Sequence, residues 1–188
     1  MHSLTCHPDE AAGAAIRVTA DAQLRSLGVI ELRYRISGAL RDLVLPTPAD
    51  QAFVNGLWRS TCFEAFIGGV DEPGYVEFNF SPSRQWAAFC FELYREGRVD
   101  LRDSRPPAVA VTENDSVLEL RTALRLADWP IAVRPRYLLR IGLAAVIEQR
   151  TGGSLHFALA HPQGAPDFHH ADSFALALDM KAAGRAVG

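Results

Sequence analysis

From Ile30 to Ser37 the chain alternates without a break, with Ile30, Leu32, Tyr34 and Ile36 interleaved with Glu31, Arg33, Arg35 and Ser37. A period of two sends successive side chains to opposite faces of an extended backbone, so this segment predicts a half-buried strand rather than a helix. The pattern returns at 116–126, where Leu118, Leu120, Leu124 and Leu126 oppose Glu119, Arg121 and Arg125. It returns again at 138–148, through Leu139, Ile141, Leu143 and Ile147. Shorter examples lie at 15–20, 62–67, 75–81, 86–93, 154–160 and 174–178, giving nine or more strands. Turn signals separate them, among them Gly68-Gly69, Glu72-Pro73-Gly74, Pro106-Pro107 and Asn114-Asp115. Apolar strand faces need a partner surface, and two stacked antiparallel sheets supply it. The predicted fold is therefore all-β, an antiparallel two-sheet β-sandwich with little helix. One helix is expected at 48–56, with Thr47 as cap, Pro48 in the first turn and Gly56 at the end.

At 188 residues the chain has the length of one domain, expected over 1–180, with 181–188 as a frayed tail. A composition of 48% hydrophobic and 22% charged residues is that of a chain with a buried core, and excludes wholesale disorder. The net charge of −3 argues against a general nucleic-acid binder. The cysteines, Cys6, Cys62 and Cys90, are odd in number and unpaired in spacing, which fits a reducing compartment better than a disulfide framework or a zinc ribbon. The N-terminus lacks a secretory pattern and no apolar run reaches the length of a membrane span, so a cytoplasmic protein without membrane attachment is expected.

Phosphate-binding glycine loops, the nucleophile elbow, the H-E-x-x-H metalloprotease pattern and the EF-hand loop are all missing from the sequence. The informative stretch is 57–92. Parity places Phe63, Ala65 and Ile67 on one face and Cys62, Glu64 and Phe66 on the other. In the next strand Val76, Phe78 and Phe80 oppose Glu77, Asn79 and Ser81. If the two strands are neighbours with apolar faces aligned, Glu64, Glu77 and Asn79 share a polar surface. Trp58 and Trp86 flank it in sequence. Carboxylates and amides can grip vicinal hydroxyls while an indole covers the apolar face of a pyranose, so this combination suits a sugar. The competing reading is that the polar face is merely the solvated side of a sheet and the tryptophans are core. Arg59 can meet an acidic group or simply be solvated.

A second cluster, His161-Pro162-Gln163-Gly164-Ala165-Pro166-Asp167-Phe168-His169-His170, puts histidines and an aspartate in a proline-fixed turn. His161, Asp167 and His169 can contact a ligand, or the turn can be structural and hold the last strand in register. Adjacent histidines on an extended chain face opposite ways, which disfavours a shared metal. His156 alternates with Leu155 and Phe157 and is expected to be exposed. Cys62 and Cys90 sit in apolar strands, behave as small hydrophobes, and can approach each other across two strands.

Three motifs carry a family resemblance: W-R-S-T-C-F-E-A-F-I, then Y-V-E-F-N-F-S-P-S-x-Q-W-A-A-F, then H-P-x-G-x-P-D-F-H-H. Together they resemble the bacterial DOMON-like domain proteins, which are similar to family 9 carbohydrate-binding modules. The resemblance is strong over 57–89 and continues in order over 141–178. It implies a jelly-roll-like, immunoglobulin-like sandwich whose relatives bind sugars or, in other branches, haem. Related domains are also fused to a cell-wall precursor reductase, UDP-N-acetylenolpyruvoylglucosamine reductase, which implies a partner enzyme of cell-wall or sugar metabolism. By position, Trp58, Glu64, Glu77, Asn79 and Ser81 fall where relatives place the ligand face, Trp86 stands at the aromatic after the S-P turn, and Asp167–His169 match the closing motif. Sugar-binding modules sandwich a ring between two tryptophans, and Trp129 does not align with the second of them. The haem-binding branches use a methionine ligand, whereas this chain has only Met1 and Met180.

The leading expectation is thus a non-catalytic module that binds a small sugar or sugar derivative, without cofactor or metal. The alternatives are haem or metal binding through the histidine cluster, and a sugar-active enzyme in which Glu64 and Glu77 divide acid and base roles.

Overall fold

The computed structural model describes residues 1–10, 15–25, 28–135 and 137–183. Among these residues are thirteen strands in two antiparallel sheets. The strands are β1 (His2–Ser3), β2 (Thr5–Cys6), β3 (Ile16–Arg25), β4 (Val29–Gly38), β5 (Cys62–Gly69), β6 (Tyr75–Phe80) and β7 (Trp86–Phe91). They continue with β8 (Val99–Asp100), β9 (Val109–Glu113), β10 (Val117–Arg125), β11 (Leu138–Glu148), β12 (Ser154–Ala158) and β13 (Leu176–Asp179). The first sheet runs β1-β3-β4-β10-β9 and the second β2-β12-β11-β5-β6-β7-β8, with β13 also on β11. β12 and β13 occupy the same edge of β11 in tandem, pairing with Ala144–Glu148 and Leu138–Ile141 respectively.

The predicted sandwich is the observed one, because alternation and burial coincide. On β4, Ile30, Leu32, Tyr34 and Ile36 are buried between the sheets while Glu31 is exposed. Facing them from the second sheet are Phe63, Ala65 and Ile67 of β5, Val76, Phe78 and Phe80 of β6, and Ile141 and Leu143 of β11. Tyr34 stacks on Phe63 with ring centroids 5.0 Å apart, and its hydroxyl donates a 2.7 Å hydrogen bond to the Glu64 carbonyl. A buried phenol without that acceptor would cost about 1–3 kcal/mol. The bond therefore ties the two sheets together directly behind Glu64.

The second sheet departs from the half-buried pattern. Every residue of β5, β6 and β7 is buried, so these strands are covered on both faces. Their outer face carries a second apolar layer, with Phe66, Tyr75, Phe89 and Phe91 packed against Phe53, Trp58, Phe168 and Phe174. The solvated-face reading of Glu64, Glu77 and Asn79 fails here, because chain segments fold over that side of the sheet.

The helix expected at 48–56 does not form. This segment runs extended beside the start of β7, with Phe53 bridged parallel to Trp86 and the Val54 amide donating to the Trp86 carbonyl at 2.9 Å. Backbone bonds to a distant strand replace those a helix would make internally, which a local propensity cannot foresee. Of the tail expected at 181–188, residues 181–183 belong to a single helical turn, Met180–Ala183, and 184–188 lie outside the described residues. No described helix is long and apolar enough to cross a membrane.

Candidate functional site

Glu64 on β5 and Glu77 and Asn79 on β6 meet on the outer face of the second sheet. Glu64 pairs across the strands with Asn79, and Glu77 pairs with Phe66, which makes the two glutamates diagonal neighbours. The other cross-strand neighbour of Glu64 is Ala144 on β11, a side chain small enough to leave room above the sheet. A cavity of about 380 Å³ opens there, within the range of small-ligand sites. Glu64, Glu77, Phe91 and Val146 line it from the sheet.

Three connections supply the walls. A single helical turn, Leu57–Arg59, sets Trp58 edge-on to Phe89 with centroids 5.7 Å apart. The β7–β8 connection brings Arg95 and Arg98, and the segment after β12 brings Pro166, Phe168 and His169. Asp167 fastens these two connections together. It accepts hydrogen bonds from the Tyr94 hydroxyl, from Arg95 Nη2 at 2.8 Å and from the His169 amide at 3.1 Å, and these donors hold its carboxyl below the usual range even though burial acts the other way. Gly142 of β11 lets the returning chain settle on the sheet, because a Cβ there would stand 3.1 Å from the Ser173 carbonyl oxygen.

The electrostatics inside are those of carboxyls withheld from water. Glu64 is 4% exposed, and its Oε1 has no hydrogen-bond partner among the described residues. Burial, reinforced by Glu77, pushes its pKa well up. Glu77 is also raised by burial, although Asn79 Nδ2 donates to its Oε1 at 2.6 Å. His169 has Nε2 3.6 Å from Glu77 Oε2 and Nδ1 2.8 Å from the Tyr75 hydroxyl. Burial, aided by Arg95, lowers its pKa to about 4, so the ring is neutral at pH 7. A hydrogen-bonding carboxyl floor with an aromatic wall can hold a small polar ligand that also has an apolar face.

Of the residues expected at the site, Trp58, Glu64, Glu77 and His169 line the cavity, with Asn79 behind Glu77 and Asp167 clamping the rim. The others go elsewhere. Trp86 shares its parity with Ala88 and Cys90, so it points into the inter-sheet core at 1% exposure, edge-on to Phe53. Ser81 lies past the end of β6 and is turned into the following turn, where its hydroxyl oxygen accepts from the Ser83 amide. Arg59 is exposed and does not reach the cavity. His161 is held outside it by its Nε2 contact to the Thr5 carbonyl at 2.8 Å. His170 faces away from His169, and its Nδ1 accepts from the Asp172 amide. Trp129 packs on Phe78 in the core. Cys62 and Cys90 occupy opposite faces of the second sheet and do not meet. His156, expected to be exposed, is half-buried and lines the cavity, with its Nδ1 2.5 Å from Glu10 Oε1.

Sequence reasoning missed Phe91, Arg95, Arg98, His156 and Phe168. Phe91 was recoverable by parity, since register pairs it with Tyr75 on the face of Glu77. The arginines sit in a connection with no periodicity. Among the described residues no group of three His, Cys, Asp or Glu side chains is arranged to hold a metal ion.

The chain is an antiparallel β-sandwich with a roofed cavity on the outer face of one sheet. It matches the fold of a solved structure, a "putative carbohydrate-binding protein" from Bacteroides uniformis, at a TM-score of 0.67 and 13% identity, over 95% of this chain and 84% of that one. At that identity the likeness is one of fold. No protein-family model matches the chain, and no curated protein is significantly similar to it.

Proposed function

We propose that this protein is a non-catalytic binding module of the DOMON-like type, related to family 9 carbohydrate-binding modules, that takes a small sugar or sugar derivative into the cavity over Glu64. One observation carries the reading: a fully buried carboxyl with an unpartnered oxygen lines an aromatic-walled cavity of about 380 Å³. Leaving such a group unpaired costs about 1–3 kcal/mol, and a ligand hydroxyl would remove that cost. Trp58 offers its ring to an apolar sugar face, and Glu64 and Glu77 receive hydroxyls. The description of the Bacteroides protein of the same fold supports the ligand class. The cysteines Cys6, Cys62 and Cys90 are free, which supports a reducing, cytoplasmic setting, where a small or nucleotide-linked sugar is the ligand within reach; a partner enzyme of sugar or cell-wall metabolism is what the resemblance to the DOMON-like proteins implies.

Thermal unfolding against monosaccharides and nucleotide sugars tests this. Ligand at a hundredfold excess over its Kd stabilises the native state by about 2.7 kcal/mol. A saturable shift lost in Trp58→Ala and in Glu64→Gln is the expected result, and no shift with any sugar overturns it. An enzyme reading draws on one observation, the two neighbouring glutamates in unlike environments, one unpartnered and one held by Asn79. Conversion of a bound sugar at high protein concentration, abolished in either glutamine variant, would replace the binding module by that enzyme.

A further inference from the structure

Two arginines and two glutamates line the cavity, but they do not pair with each other. Arg95 at its rim is paired with Asp167 at 2.8 Å, and Arg98 with Asp100 at 3.1 Å. His156 is paired with Glu10. Glu64 and Glu77 have no cationic partner of their own among the described residues, for His169 beside Glu77 is held neutral at pH 7 by its burial. Cys62 on the same face directs its thiol at Asn79 Oδ1, at 3.7 Å, and supplies no charge. The arginines are 50% and 36% exposed, and solvent weakens their reach into the floor. Burial accordingly outweighs Arg95 at Glu64, and outweighs both Arg98 and Arg95 at Glu77.

Two buried carboxyls under aromatic walls form a receptor for a cation that arrives with the ligand. Trp58 and Phe91 line the same space; Phe91 has one face stacked on Tyr75, and the Arg98 guanidinium stands 5.7 Å from the Trp58 ring centroid, a cation already drawn to this aromatic wall. A neutral sugar would bring no charge to offset the burial of the two carboxyls. A ligand ammonium would let one ionise and would supply the charge-assisted hydrogen bonds that Glu64 lacks.

We infer that the ligand is an aminodeoxy sugar, whose free ammonium group is received by Glu64 and Glu77 while Trp58 covers the ring. This deepens, and rests on, the reading of the cavity as a sugar site. Burial favours the protonated form of Glu64 in the empty cavity and a neighbouring ammonium favours the ionised one, so a proton that Glu64 gives up on binding passes to the buffer, while the amine enters already protonated and leaves unchanged.

Isothermal titration calorimetry of the full chain with glucosamine, galactosamine and mannosamine tests the inference. Each is set against its parent hexose and its N-acetyl form, with ethanolamine as an ammonium without a ring. At least one amino sugar is expected to bind about tenfold or more tightly than its parent and its N-acetyl form, since an ion pair replaces a neutral hydrogen bond. Its heat is expected to vary with the ionisation enthalpy of the buffer, which reports the released proton. Glu64→Gln and Glu77→Gln, each checked for native circular dichroism, should both erase the preference, and either suffices if the other fails to fold. Equal affinity for parent and amino sugar would overturn the inference and leave the sugar reading standing. Equal affinity for ethanolamine would overturn both in favour of a simple amine site. Silence from all of these ligands would overturn both outright.

Discussion

His169 and Glu77 meet across the cavity floor with Nε2 and Oε2 3.6 Å apart, yet burial keeps the imidazole neutral by lowering its pKa to about 4. The pair is a polar contact at neutral pH and not a salt bridge. An NMR titration is expected to find this ring titrating near pH 4. In the unfolded chain the ring takes its proton near 6.5, so the unfolded state binds it first as pH falls. The contribution to stability is complete above about pH 6.5 and is lost as pH descends towards 4. His169→Gln should remove that acid sensitivity, and a native ring titrating at or above 6.5 would contradict the geometry.

Glu64 behaves in the opposite sense. Its folded pKa lies above the unfolded value of 4.5, so the native state holds its proton longer and loses relative stability as pH rises past that value. Each unit of elevation amounts to about 1.4 kcal/mol. Urea denaturation of Glu64→Gln should show the ligand-free variant gaining on the parent protein as pH rises above 4.5. A difference that does not change with pH would mean that Glu64 ionises freely.

The two tryptophans of the central motifs should part company on mutation. Trp86 is 1% exposed in the inter-sheet core, and Trp86→Ala should cost about 3–5 kcal/mol. Trp58 is only half-buried at the cavity wall, so Trp58→Ala should unfold at nearly the parent temperature while losing ligand affinity. Thermal melts of the two variants with and without sugar distinguish these outcomes. Equal destabilisation would assign Trp58 to the core instead.

Asp167 acts on the site through the two connections that it joins. Asp167→Ala removes the acceptor shared by Tyr94, Arg95 and the His169 amide. Hydrogen exchange should quicken at residues 92–98 and 165–170 together, while the strands of the first sheet keep their protection. Faster exchange confined to one connection would show that the clamp is not shared.

Much of the site was legible because strand parity is local. Cys62-Phe63-Glu64 and Glu77-Phe78-Asn79 alternate, and once β5 pairs with β6 the glutamates and the asparagine must fall on one face. The same rule, applied to β7, places Trp86 in the core with Ala88 and Cys90, and Phe91 on the site side. Proximity of Trp86 to the motif in sequence misled where parity did not. His156 was misjudged for a different reason: nothing in its own strand announces that Glu10, with Oε1 2.5 Å from its Nδ1, and Phe168, with ring centroids 5.9 Å apart, fold over it.

The sequence by itself determined the sandwich, the inward sets of most strands and, once β5 and β6 pair, the common face of Glu64 and Glu77, all of which follow from the two-residue repeat of an extended chain. The tertiary structure decided that this outer face is roofed, that His169 rather than His161 or His170 enters it, and that Arg95 and Arg98 guard its rim. Those outcomes depend on where long connections land. Landing sites are set by contacts such as Asp167 with Arg95 and Gly142 with the Ser173 backbone, between residues far apart in sequence and without periodicity to announce them.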